Sequence, residues 1–220
     1  MNKVTIKTEP ITYNDFVKLI EFDNIHYINM MKKLGIPDQQ LAPPLSLIEL
    51  DDAYRRKDIL EWIYSDGDFA GYFWFEKKLD GLYIAAIAIL QNFHGRGLGQ
   101  YILNLAESKA KENHLCLCRL SVIPLNGRAL NAYFKQGYKI TACAPAFFGA
   151  QYPDTFRLIM EKNLSASEAE KVVTDSVVIS CSDYERLKNA TDDGYVGVRL
   201  IRAENNNNFE NKIYFERLSL

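Results

Sequence analysis

Apolar and polar residues alternate over KVTIKTE, residues 3–9, which predicts a first strand. The spacing then becomes helical: Phe16, Ile20, Ile28 and Leu34 share a face until Gly35 and Pro37 stop the run. A long helix is therefore expected to follow the strand. After the loop GIPDQQLAPPL, a second helix is expected over 46–56. Strands at 59–65, 69–77 and 82–90, separated by SDGD and KKLDG, make an antiparallel meander. From residue 98 to about 113, Leu98, Ile102, Leu105 and Ala106 recur at helical spacing, so the local order is strand, glycine-rich turn, helix. LCLCRLSVI is the next strand. NGRALNAYFKQG predicts a helix with Asn126 near its cap and Gly137 just past its end, and YKITACA and TFRLIMEKN are strands on either side of an aromatic loop.

This unit closes near residue 163. Beyond it, LSASEAEKVV predicts a short polar helix, and YVGVRLIRA and KIYFERLSL predict a strand pair around a solvated loop, ENNNNFEN. A tail of this size is small for a core of its own. Residues 164–220 are therefore expected to pack on the domain formed by 1–163 or on a second copy, with a homodimer as one outcome.

Composition narrows the classes of function. Of 220 residues, 48% are hydrophobic and 25% charged, the balance of a globular chain. The apolar run LYIAAIAIL is well short of the ~20 residues that span a bilayer, and MNKVTIKTEP lacks the basic-then-apolar order of a signal peptide. A cytoplasmic protein with no membrane segment is expected. With 26 basic and 28 acidic side chains, the net charge of -2 argues against a broad nucleic-acid footprint and points to a small partner. Cys116, Cys118, Cys143 and Cys181 do not follow a zinc spacing, so no metal is expected. Cys116 and Cys118 sit two apart in a strand and are expected to lie buried on one face.

The chemistry concentrates at HGRGLG, residues 94–99. A helix N-terminus presents unpaired amides and a partial positive charge, and glycines let a phosphate approach them. Gly95, Gly97 and Gly99 can also converge successive amides on an anion. By themselves they equally suit a tight turn with no ligand. The Walker pattern is absent, and the GxGxxG spacing is not met. A second constellation lies about 30 residues on. In NGRALNAYFKQGY, Ala129 and Tyr133 stack on one helix face with Asn126 at the start. A small residue there permits close approach, and a phenol one turn on can give a proton. Taken alone, Tyr133 also suits a core aromatic and Asn126 a simple cap.

Together, His94-Gly95-Arg96-Gly97-Leu98-Gly99 and NGRALNAYFKQGY resemble the acetyl-CoA signature and the downstream N-x-x-A-x-x-x-Y-x-x-x-G-[FY] segment of the GCN5-related N-acetyltransferase (GNAT) superfamily. The resemblance covers 3–163. It implies an α/β (α+β) fold, with a central mixed, mostly antiparallel sheet of about seven strands flanked by helices; the tail, outside the resemblance, is expected to add a small C-terminal helix-plus-hairpin extension. It implies acetyl-CoA as cofactor, with the pantetheine arm beside the backbone of Ile87, Ile89 and Gln91. The pyrophosphate would lie on the amides of Gly95, Arg96, Gly97, Leu98 and Gly99, with Arg96 and Arg128 as cations and Asn126, Ala129 and Tyr133 completing the site. The family usually has Arg or Gln where His94 stands, and a Pro is common at 91. His94 is thus a candidate contact, while the backbone amides carry the binding.

The implied reaction is direct attack of a primary amine, on a small molecule or a protein, at the thioester carbonyl. Tyr133 would be the general acid, since a phenol with a pKa of about 10 is protonated at neutral pH. Some relatives place a glutamate in strand four where Tyr83 stands here; Glu76 is the substitute base, with solvent or a surface role as its alternatives. Phe147, Phe148 and Tyr152 make the loop at 143–154 apolar enough to receive the acceptor, together with the loop at 35–45, or else to cover the sheet. A non-catalytic acyl-CoA-binding sensor or interaction module is the competing function.

Overall fold

The computed structural model describes residues 4–38, 41–165, 172–204 and 208–219. The chain forms two compact units, Met1–Lys33 with Pro43–Cys118, and Leu34–Ala42 with Arg119–Leu220.

In the first unit, β1 (Ile6–Pro10), β2 (Ile59–Ser65), β3 (Asp68–Lys78) and β4 (Gly81–Ile89) pair in that order, each antiparallel to the next. The meander thus forms where the alternation placed it. Between β1 and β2 come α1 (Phe16–Lys33) and α2 (Leu47–Arg56). A capping box starts α2: Ser46 Oγ accepts the Glu49 amide at 3.3 Å, and the Glu49 carboxylate accepts the Ser46 amide at 3.0 Å. On α1, Phe16, Leu19 and Met31 are buried, whereas Ile28 is 40% exposed. Twelve residues after Phe16, Ile28 lies about 120° around the helix, at the margin of the apolar stripe.

Strand β3 is buried on both faces from Ala70 to Phe75. Tyr72 and Trp74 pack with Phe16, Leu19, Leu50 and Trp62 in the core under the first two helices. Phe73 and Phe75 alternate to the other face, with their rings 4.5 Å apart. Helix α3 (Leu98–Glu112) follows β4 and buries Leu98, Ile102, Leu103, Ala106 and Ala110. Each large apolar side chain so covered contributes about 1.5–3 kcal/mol.

The second unit holds most of β5 (Leu117–Val122), then α4 (Gly127–Lys135), β6 (Lys139–Pro145), β7 (Phe156–Asn163), β8 (Val173–Ser180), α5 (Tyr184–Asp192), β9 (Tyr195–Ile201) and β10 (Lys212–Leu218). Its strand order is β5-β7-β6-β9-β10-β8. β6 runs antiparallel to β7, and it meets β9 at Ile140 and Gly197. β9 and β10 are the strand pair expected in the tail.

The strand count needs correcting. Ten strands form among the described residues, against about seven expected in the sheet and two in the tail hairpin: β9 and β10 are that hairpin, and β8 is the additional strand. β8 pairs with β10 but exposes its first four residues, so no alternation marks VTDSVVIS as a strand. Helix α5 buries only Leu187, Ala190 and Thr191, too few positions for a clear period. The polar helix expected at LSASEAEKVV falls mostly on residues outside those described. A second correction concerns Cys116, which is exposed while Cys118 is buried. β5 starts at Leu117, so Cys116 belongs to the connection before the strand and shares no face with Cys118. No helix among the described residues is long and apolar enough to cross a membrane.

Candidate functional site

The glycine turn grows directly out of β4. The Leu90 amide donates to the Ala70 carbonyl at 2.8 Å, toward β3. Successive residues of an antiparallel strand direct their main-chain groups to opposite sides, so Ile87 and Ile89 direct theirs away from β3. The register jumps between Trp74, opposite Ala86, and Phe75, opposite Ile84, which makes Ala85 a bulge. After one 3-10 turn at Gln91–Phe93, Gly95 and Gly97 take φ of 80° and 84°. A Cβ at either would meet nothing within 4 Å. Glycine is needed there for the backbone conformation, and the space in front of it is open.

Gly97 is the N-cap of α3 and brings no side chain to its amides, and the first turn contains no acidic residue. The helical ladder starts with the Tyr101 amide on the Gly97 carbonyl at 3.0 Å. The amides of Leu98 and Gly99 therefore head the helix, at the positive end of its dipole. At Gly99, the nearest atom to an added Cβ is Ile89 Cδ1 at 4.0 Å. An exposed cradle of main-chain donors with no carboxylate in its first turn fits a diphosphate.

The neighbouring side chains brace this turn. Phe93 and Leu98 are buried beneath it. His94 donates from Nε2 to the Ile89 carbonyl at 2.8 Å, so its ring points back toward the strand end. Gln91 accepts a hydrogen bond from Lys33 Nζ. The Arg96 guanidinium lies 4.8 Å over the Phe93 ring and 3.9 Å from the Asp66 carboxylate. Glu76 stands apart from this group: it pairs with Tyr83, well down β4 from Ile89, and its carboxylate faces Arg56 at 3.7 Å and Lys78.

One polar pair in the same unit escaped the sequence. Tyr72 Oη donates to Asp23 Oδ1 at 2.5 Å. Burial, reinforced by Glu49, pushes the Asp23 carboxyl up against the opposing effect of that hydrogen bond, and burial holds the Tyr72 phenol well above its usual range. The only signal for Asp23 was its place between the apolar Phe22 and Tyr27 of α1, and that did not distinguish it from a surface acid.

In the second unit, α4 carries the other group of candidates. Asn126 is its N-cap, with Oδ1 accepting the Ala129 amide at 3.2 Å. Ala129 and Tyr133 are half-buried one turn apart, while Arg128 is exposed and Leu130 is buried. The Tyr133 ring tilts against buried Tyr138 at 6.2 Å. The loop after β6 is tied by fully buried Thr155, whose Oγ1 donates to the Tyr152 carbonyl at 2.7 Å and accepts the Phe148 amide at 3.4 Å. Phe147 and Phe148 meet edge to face at 4.9 Å, and Arg157 lies 5.1 Å beneath Phe148. Phe147, Phe148 and Tyr152 are all half-buried, and the segment Leu34–Ala42 belongs to the same unit.

A strand, a glycine turn with open amides, and a helix on one unit, with an Asn-capped helix bearing Ala129 and Tyr133 on the other, are the parts of a GNAT acetyltransferase fold. The model of the acetyltransferase (GNAT) family matches residues 24–138, just over half of the chain, and the protein belongs to that family. No curated protein matches the sequence. Among solved structures, the chain is similar to the ribosomal-protein-S18-alanine N-acetyltransferase of Escherichia coli, at 15% identity and a TM-score of 0.54 over 76% of this chain and 99% of that one. It is also similar to Naa50 of Arabidopsis thaliana in complex with the bisubstrate analogue CoA-Ac-MVNAL, at 18% identity and a TM-score of 0.54 over 72% and 98%. A GNAT family acetyltransferase of Elizabethkingia anophelis with acetyl-CoA bound matches at 17% identity and a TM-score of 0.51 over 74% and 100%. Likeness at these identities shows the fold.

Proposed function

We propose that the protein is an N-acetyltransferase that moves the acetyl group of acetyl-CoA to a primary amine of a small molecule or a protein. The observation that carries this reading is the turn at Gly95–Gly99, where two glycines in left-handed conformation open the head of α3 to a diphosphate. Family membership and the coenzyme A ligands of the similar structures support it.

In this reading the amides of Gly95, Arg96, Gly97, Leu98 and Gly99 hold the pyrophosphate, and Arg96 exchanges Asp66 for phosphate oxygen, with Arg128 as the second cation. The main chain of Ile87, Ile89 and Gln91 lines the pantetheine arm. His94 acts through its bond to Ile89, fixing the turn. Asn126 offers its Nδ2, and Ala129 leaves room beside it. As the amine nitrogen bonds to the acetyl carbon and the carbon–sulfur bond breaks, Tyr133 gives its proton to the departing sulfur and regains one from solvent. The proton lost by the amine passes to water. Glu76 would have to leave Arg56 or Lys78 to take it. Phe147, Phe148 and Tyr152 offer the acceptor an apolar surface.

Calorimetry with coenzyme A and a thiol-release assay over a panel of amines, on the wild type and Tyr133→Phe, test this. The wild type is expected to bind and turn over, and the variant to keep its affinity while kcat falls about 100-fold. Binding without release of thiol to any amine would make the protein a binding module. No binding at all would reject the site.

A further inference from the structure

The loop ENNNNFEN reads as solvated surface in the sequence, but part of it is built into the base of α4. Asn211 is only 4% exposed. Its Oδ1 accepts the Ala203 amide at 2.9 Å and its Nδ2 donates to Asn208 Oδ1 at 3.2 Å. Its main-chain carbonyl accepts the Cys181 amide at 2.8 Å, and its amide donates to the Asn208 carbonyl at 3.3 Å. One residue thus knots together the ends of β8 and β9 and the start of β10.

This knot is seated on Gly127, the first residue of α4. A Cβ at Gly127 would lie 2.5 Å from Asn211 Nδ2 and 3.1 Å from Asn208 Oδ1. Gly127 has no left-handed φ to demand glycine, so the close approach of the tail is what excludes a side chain there. Gly127 stands between Asn126 and Arg128. The tail therefore bears on the first turn of α4, which Asn126 caps and which carries Arg128. A buried carboxamide with both ends bonded is a stiff support, because moving it leaves polar atoms unpaired.

We propose that Asn211, with Asn208, is a positioning residue for the acyl-CoA donor: the C-terminal segment clamps the first turn of α4 and so sets Asn126 and Arg128 for the cofactor. This rests on the acetyltransferase reading above. It assigns the tail a part in donor binding.

The test uses the full-length chain with Asn211→Ala, Gly127→Ala and the double variant, following coenzyme A affinity by calorimetry, the KM and kcat values, and the melting temperature. Asn211→Ala is expected to weaken coenzyme A about tenfold, equivalent to about 1.4 kcal/mol, and to raise the KM for acetyl-CoA with it. The KM for the amine and kcat at saturating donor stay within about twofold. Gly127→Ala drives its methyl into the carboxamide and weakens donor binding at least as much. The double variant, in which the methyl no longer meets the Asn211 carboxamide, resembles Asn211→Ala alone, a non-additivity that marks direct contact. Should Asn211→Ala fail to fold, Gly127→Ala carries the same comparison. A lowered melting temperature with unchanged coenzyme A affinity in these variants would overturn the clamp and leave the acetyltransferase reading standing. A wild type that binds no coenzyme A would overturn both.

Discussion

The His94 imidazole donates from Nε2 to the carbonyl of Ile89, 2.8 Å away, and so closes the end of β4 onto the glycine turn that follows it. A carbonyl can only accept, which fixes Nε2 as the protonated nitrogen of this bond. His94 therefore braces the turn.

A side chain able to donate the same bond should replace it. His94→Gln is expected to bind coenzyme A within about twofold of the wild type, while His94→Ala loses about tenfold because the turn is released. Calorimetric titration of both decides the matter. Equal losses in the two variants would show that the ring itself meets the ligand.

The glycines permit a sharper substitution. A Cβ at Gly97 has open space in front of it, so Gly97→Ala disturbs no packing and acts through the backbone alone. Holding alanine at φ 84° costs roughly 1–2 kcal/mol. The variant is expected to lose about that much stability in urea melts and, as the turn shifts to escape the strain, more than tenfold in coenzyme A affinity. Full affinity in a destabilised variant would separate the turn from the ligand.

The parts of the site that depend on local chemistry were legible in the sequence. Gly95 and Gly97 follow an apolar strand and lead a helix, and Asn126 caps the next one, because backbone conformation and capping are decided within a few residues. What depends on contacts distant in sequence was not. The seat of Asn211 on Gly127 joins residues more than 80 apart, and in the sequence Asn211 is one polar residue in a polar run. Edge strand β8 was hidden because it is covered on too little of its surface to alternate. The side-chain direction of His94 depends on how β4 ends, which no spacing records.

Asp23 gives a prediction about stability against pH. Its carboxyl is raised from the ordinary 3.8, with burial as the first cause and Glu49 adding, so the folded state holds the proton more tightly than the unfolded chain. Asp23 therefore contributes most to stability below the unfolded value, and that contribution is lost as pH rises through the folded one, above which the penalty is constant. Asp23→Asn keeps an oxygen for the Tyr72 hydroxyl and removes the buried charge. The variant is expected to be more stable than the wild type at pH 7, with the gap closing as pH falls below about 4. Urea melts at the two pH values measure this, and a variant less stable at pH 7 would show that the charge is compensated.

The thiols provide a check on the fold that needs no ligand. Burial pushes Cys143 up to about 11 and Cys181 up to about 12, Cys118 is fully buried, and Cys116 is exposed. The thiolate is the reacting species, so at pH 8 a thiol titrating near 11 is ionised in only about one molecule in a thousand. A disulfide reagent at that pH is expected to modify Cys116 rapidly and the other three cysteines only after denaturant is added, with peptide mass mapping to identify the site. Rapid reaction at Cys143 would mean that the end of β6 opens in solution and admits solvent. Rapid reaction at Cys118 would place β5 at the surface, since a buried thiol is reached only when its strand comes away from the core.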